Sequence, residues 1–131
     1  MPTGTREVYG VTVLNDEVFI VRCGSQDVET YDLNSFTVKG YITVKELRSP
    51  WDLSSCGKFR CLYIADINYP YNVHRVELNG KIEKWSVDDA PCGLSVTSEP
   101  NHNIIATSTA ARTLKEFTTH GDLIREVLLP E

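Results

Sequence analysis

One short strand-forming run occurs three times at intervals of about 41 residues: Tyr9-Gly10-Val11, Trp51-Asp52-Leu53 and Cys92-Gly93-Leu94. Pro50 and Pro91 stand immediately before the second and third copies, and Pro130 falls about one further period on. Repetition at this interval limits the fold more than any single residue does. Each unit is one supersecondary element that cannot bury its own apolar faces, so neighbouring units must stack to build a continuous core.

The units share an internal order. In the first, Val8 to Val13 opens a strand, Asn15-Asp16 turns the chain, and Glu17 to Val21 is a nearly continuous apolar run. Such a run suits a strand buried on both faces. Val28 to Leu33 then alternates apolar and polar, as a half-exposed strand does, and Val38 to Val44 forms the last strand. The second unit repeats this with Trp51 to Ser55, Cys61 to Ala65, Val73 to Leu78 and Ile82 to Val87. Asn79-Gly80 between its last two strands predicts a type I′ hairpin turn. The third unit follows with Gly93 to Val96, Ile104 to Thr107, Leu114 to Phe117 and Leu123 to Leu128, and His120-Gly121 stands where Asn79-Gly80 stood. No segment has the sustained 3.6-residue period of a helix.

Four short strands every 40–50 residues are the mark of propeller blades. The expected fold is therefore all-β: a β-propeller segment over 7–131, with blades at about 7–49, 50–90 and 91–129, after a flexible lead-in at 1–6. Propellers close with about 4–8 blades, and three blades leave two apolar sheet faces bare. Closed symmetry answers both points, so a head-to-tail homodimer of six blades is expected. A longer parent chain carrying the other blades is the covalent alternative. A twelve-strand barrel or sandwich would not predict matching turns at Asn34, Asn79 and His120.

The second unit resembles an NHL-type propeller repeat. The residues that carry the likeness are Leu62-Tyr63-Ile64-Ala65-Asp66, Asn72-Val73-His74-Arg75-Val76 and Asn79-Gly80-Lys81-Ile82. One residue is inserted between Asn72 and the His74-Arg75 pair, and the first and third units depart further from the pattern. The chain is also similar to the C-terminal propellers of multidomain animal proteins with RING and B-box modules. The resemblance implies that Asp66 caps a turn and Arg75 pairs nearby. It also implies an RNA-binding surface as an alternative function, since some NHL propellers have one.

The net charge of −5 argues against non-specific nucleic-acid binding, which needs Lys and Arg against phosphate, and against an anionic membrane surface. An RNA surface would need Lys58, Arg60 and Arg75 to collect on one face. No apolar run approaches the ~18 residues of a membrane span, and the start has no signal-peptide stretch. Four cysteines are too few for a disulfide scaffold and favour a cytoplasmic setting. Cys56 and Cys61 read as reduced thiols near a turn, with a bridge across the hairpin as the alternative. Cys92, aligned with Tyr9 and Trp51, reads as a buried packing residue.

Catalytic signatures do not appear: there is no G-x-S-x-G elbow, H-E-x-x-H or phosphate loop. His74, His102 and His120 lie at no ligand spacing; His102 and His120 read as solvated turn residues. Cys56 and Cys61 lack the spacing zinc favours, and Asp88-Asp89 reads as a solvated loop pair. No cofactor and no catalytic residue is expected, so the chain is read as a non-enzymatic scaffold or interaction module that binds a protein or other ligand on its loop face. A central-channel metal hydrolase or lyase is the third reading. The candidate ligand-face residues are Tyr69 and Tyr71, on an irregular loop where exposed aromatics favour binding, with His74 and Arg75 beside them.

Overall fold

The computed structural model describes residues 6–108 and 110–130; residues 1–5 of the expected lead-in lie outside them. The described residues form twelve strands in chain order: β1 Val8–Leu14, β2 Glu17–Arg22, β3 Asp27–Asp32, β4 Val38–Thr43, β5 Pro50–Cys56, β6 Cys61–Asp66, β7 Asn72–Glu77, β8 Ile82–Ser86, β9 Gly93–Val96, β10 Ile104–Ser108, β11 Thr113–Phe117 and β12 Leu123–Leu128. They make three antiparallel four-stranded sheets, each from consecutive strands: β1 to β4, β5 to β8 and β9 to β12. The first strands of successive sheets adjoin, β1 against β5 and β5 against β9.

Two apolar seams hold the sheets face to face. Phe19, Val21 and Val28 of the first sheet pack on Leu53, Leu62, Ile64 and Val76 of the second. Cys56, Tyr63 and Val73 of the second pack on Ile104 of the third, with Leu94 and Val96 partly buried beside them. The strand β6 is buried at all six positions, which is why its sequence is apolar without alternation. It is the second strand of the middle sheet, which packs on the first sheet by one face and on the third by the other. Leu94 faces the second seam but is only half-buried, because β9 is the edge strand of its sheet.

The repeated run sets the innermost contacts of each seam. A Cβ at Gly10 would lie 3.1 Å from the Leu53 backbone nitrogen and 3.0 Å from Val21 Cγ2, so a side chain here would push its neighbours apart by a few tenths of an ångström. At the equivalent place one sheet on, the Asp52 carboxylate accepts the Leu94 backbone N–H at 2.8 Å. One motif position thus meets the next residue of the following copy, once by backbone approach and once by a hydrogen bond.

The turns between third and fourth strands match in place but not in the expected type. A type I′ turn needs positive φ at both central residues, and at Asn79-Gly80 only Gly80 has it, at 108°. Gly80 N–H donates to Glu77 O, and Glu77 N–H to Lys81 O. This is a three-residue loop whose last residue is left-handed, a type I turn with a bulge. Thr118 to Asp122 repeats it, with Gly121 at φ 96°. The first sheet uses one residue more: Phe36, at φ 56°, donates to Asp32 O.

His102, Asp89 and Cys92 differ from expectation. His102 is largely covered, 3.2 Å from a Glu99 oxygen and edge-on to Phe59. His120 is the more exposed of the two, 3.4 Å from Glu83. Asp89 pairs with the buried Lys115 at 3.6 Å instead of simply meeting water. Cys92 is half-buried, and Cys56 and Cys61 are free thiols, buried and directly opposite across β5 and β6.

Candidate loop-face binding site

Antiparallel order fixes which loops share a rim. The β2–β3 and β6–β7 loops and the β4–β5 link emerge at one end of the sheets; the β5–β6 turn emerges at the other. The loop rim is locked by Asp66, the last residue of β6. Its carboxylate accepts backbone N–H groups from Arg48 and Ser49 of the β4–β5 link, each at 3.0 Å, and from Asn68 at 3.2 Å. His74 Nε2 lies 3.1 Å from the same carboxylate, and both side chains are nearly inaccessible. Burial alone would push the Asp66 carboxyl up, but the His74 contact and the three backbone donors outweigh it and hold the group below its ordinary value.

The four candidate residues divide into two pairs. Tyr69 is 76% exposed and meets Tyr71 edge to face at 5.5 Å; the two rings sit on the β6–β7 loop. His74 and Arg75 are buried, 1% and 4% exposed, because β7 alternates between two covered faces. His74 points to the first seam and serves Asp66. Arg75 points to the second, donating to Thr119 Oγ1 at 3.2 Å and pairing with Glu77. Tyr63 hydroxyl also bonds Thr119, and burial pushes its phenol up to about 12. Both buried residues are committed to internal partners. Lys58 and Arg60 sit in the β5–β6 turn at the opposite rim, so Lys58, Arg60 and Arg75 do not collect on one face.

The loop rim also carries residues that no sequence signal groups. A cavity of about 250 Å³ lies over the first seam, lined by Gln26, Lys45, Arg48, Pro70, Asn72 and Lys84 among others. It continues on one side past Lys45, Glu46 and Lys84, and on the other past Arg48 to Arg6 and Gly24. Only the fold brings Lys45 and Arg48, in the link between two units, beside a loop some twenty residues on. Among the described residues no three His, Cys, Asp or Glu side chains are grouped as for a metal ion.

No protein-family model matches the chain, and no curated protein matches it. Solved structures do. The Kuenenia stuttgartiensis hydrazine synthase superposes with TM-score 0.80 at 16% identity, over 98% of this chain and 38% of that one. A streptogramin B lyase superposes with TM-score 0.77 at 16% identity, over 100% and 43%. The RRP9 WD40 repeats do so with TM-score 0.77 at 12% identity, over 95% and 39%. The chain thus spans well under two thirds of each of these structures. At such identities the likeness speaks to fold alone, and the fold it establishes is the β-propeller, with three four-stranded sheets as blades.

Proposed function

We propose that the chain is an arc of a six-bladed propeller, closed head to tail by a second copy, and that it works as a non-enzymatic interaction module through its loop face. The observation that carries this is the bare face of the first blade. Val11, Val13, Val18, Ile20, Tyr31, Val38 and Tyr41 lie on the side of that sheet turned away from the second. Val11 and Val13 are 60% and 49% exposed, an apolar patch of the kind that marks an interaction surface.

The third blade offers the other half of a seam. Its outward side carries Ile105, Leu114 and Val127. The carboxylates in the middle of each face are paired within their own sheet: Glu29 with Arg22, and also bonded by the Tyr31 hydroxyl, and Glu116 with Arg125, and also bonded by Asn103. The centre of neither face therefore brings a lone charge into the contact; Asp27, at the loop end of the first face, accepts only the Thr43 hydroxyl. The inner-seam rule also extends. Gly10 meets Leu53 and Asp52 meets Leu94, so Gly93 would meet Val11 of the second copy. The NHL-type likeness of the second blade agrees with six blades.

Light scattering on the size-fractionated chain tests this. The expected mass is twice that of the monomer. Val11→Asp, which places an unpartnered charge in the closing seam and in neither internal one, is expected to give a folded monomer. A wild-type chain that stays monomeric and soluble at high concentration overturns ring closure by a second copy.

A further inference from the structure

We propose that the groove over the first seam binds an extended acidic peptide segment of a partner protein, one carrying two or three carboxylates beside an aromatic or apolar side chain. This rests on the loop face being the binding face, and it names the ligand chemistry and the residues.

Charge accounting singles the groove out. The chain carries a net −5, and most of its cations are matched: Arg22 with Glu29, Lys39 with Glu17, Arg75 with Glu77, Lys81 with Glu83, Lys84 with Glu46, Lys115 with Asp89 and Arg125 with Glu116. Among the described residues Arg6, Lys45 and Arg48 form no salt bridge, and all three line this groove. Arg6 instead donates to the Cys23 and Gly24 carbonyls, which fixes its position without neutralising it.

The carboxylates along the same groove are engaged. Glu46 pairs with Lys84 at 2.9 Å. Glu83 pairs with Lys81 at 3.0 Å. Asp66 is buried against His74 and three backbone N–H groups. Asp27 accepts the Thr43 hydroxyl at 2.7 Å. Asp27 accepts only this neutral hydroxyl and keeps its charge near Arg6, so an incoming carboxylate finds Lys45 and Arg48 in want of an anion.

The remaining walls suit a peptide. The Gln26 and Asn72 amide nitrogens donate to the Lys45 and Pro70 carbonyls, which leaves their oxygens to accept from a peptide backbone. Tyr69, exposed and backed by Tyr71, stands beside Pro70 at the rim and gives one broad apolar contact. A nucleic-acid strand fits less well. It carries a phosphate every ~3.4 Å and draws on many cations in a row, whereas here three cations span one seam and the other unmatched pair, Lys58 and Arg60, sits at the opposite rim.

The probe is a fluorescein-labelled peptide of about eight residues, glutamates around one tyrosine, followed by fluorescence anisotropy with the full chain at two salt concentrations. Saturable binding that weakens with salt is expected. Lys45→Glu with Arg48→Glu should weaken it about ten-fold or more, Tyr69→Ala should weaken it, and Lys58→Glu with Arg60→Glu should leave it unchanged. Absence of binding, or equal losses from the two charge reversals, overturns the site. So does a single-stranded RNA oligonucleotide that binds more tightly than the peptide and is lost with Arg48→Glu. Light scattering on the same samples separates the two proposals. A dimer that ignores the peptide sinks this one alone; a monomer that binds it sinks ring closure and leaves the groove standing.

Discussion

Asp66 joins two repeats through one carboxylate, since it closes its own β6–β7 loop at Asn68 and pins the preceding β4–β5 link at Arg48 and Ser49. Replacing it by Asn keeps the shape and removes the charge that four partners are built around. Asp66→Asn should lower the unfolding free energy by about 3 kcal/mol, read from urea denaturation. The pH dependence has a definite sign. The carboxyl is held below its ordinary 3.8 in the folded chain, so the unfolded chain takes up the proton first. The stabilisation is complete above that value and is lost as pH falls through the folded one. Acid unfolding of Asp66→Asn should accordingly be shallower than that of the wild type. Tyr63 runs in the opposite direction. Its phenol is pushed up to about 12, mainly by burial, so its contribution is complete below pH 10 and is lost as pH rises through the folded value. Tyr63→Phe should cost about 1 kcal/mol at neutral pH and reduce the loss seen on going alkaline.

Among the elements, the three turns from third to fourth strand show where sequence reading stopped. The period located them because strand lengths and turn residues repeat. Their type was not legible, because Asn79-Gly80 serves a two-residue or a three-residue loop equally well and the strand register decides. At Gly121 the residue is constrained twice, by φ 96° and by a Trp85 ring that a Cβ would approach to 2.5 Å. Phe36 holds the left-handed position in the first blade at φ 56° while 70% exposed. A bulky residue is strained there and gains little from burial. Phe36→Gly should raise the unfolding free energy by about 0.5–1 kcal/mol, and a thermal melt of the two chains checks it. The candidate site was half legible for a related reason. Tyr69 and Tyr71 stand in an irregular loop that composition reveals. His74 and Arg75 sit in a strand whose burial depends on blades on either side, and Lys45 and Arg48 lie in a link whose neighbours are distant in sequence.

On the scale of the molecule, the two internal seams are packed with apolar side chains and the two end faces are open, so in the proposed dimer part of the stability would belong to the contact between copies. The melting temperature should rise with protein concentration, by roughly 1.4 kcal/mol of apparent stability for each ten-fold increase; calorimetry across a concentration series reads this directly. A concentration-independent melt would place all of the stability within one arc.

Each ladder is built from one unbroken stretch of chain, and no strand is lent from one sheet to another. A protease nick in the 44–49 or 87–92 link would therefore sever the polypeptide without removing a partner strand from any ladder. The pieces would stay associated through side-chain packing and the few hydrogen bonds that cross the seams, such as Thr12 with Ser55 across the first and Asp52 with Leu94 across the second.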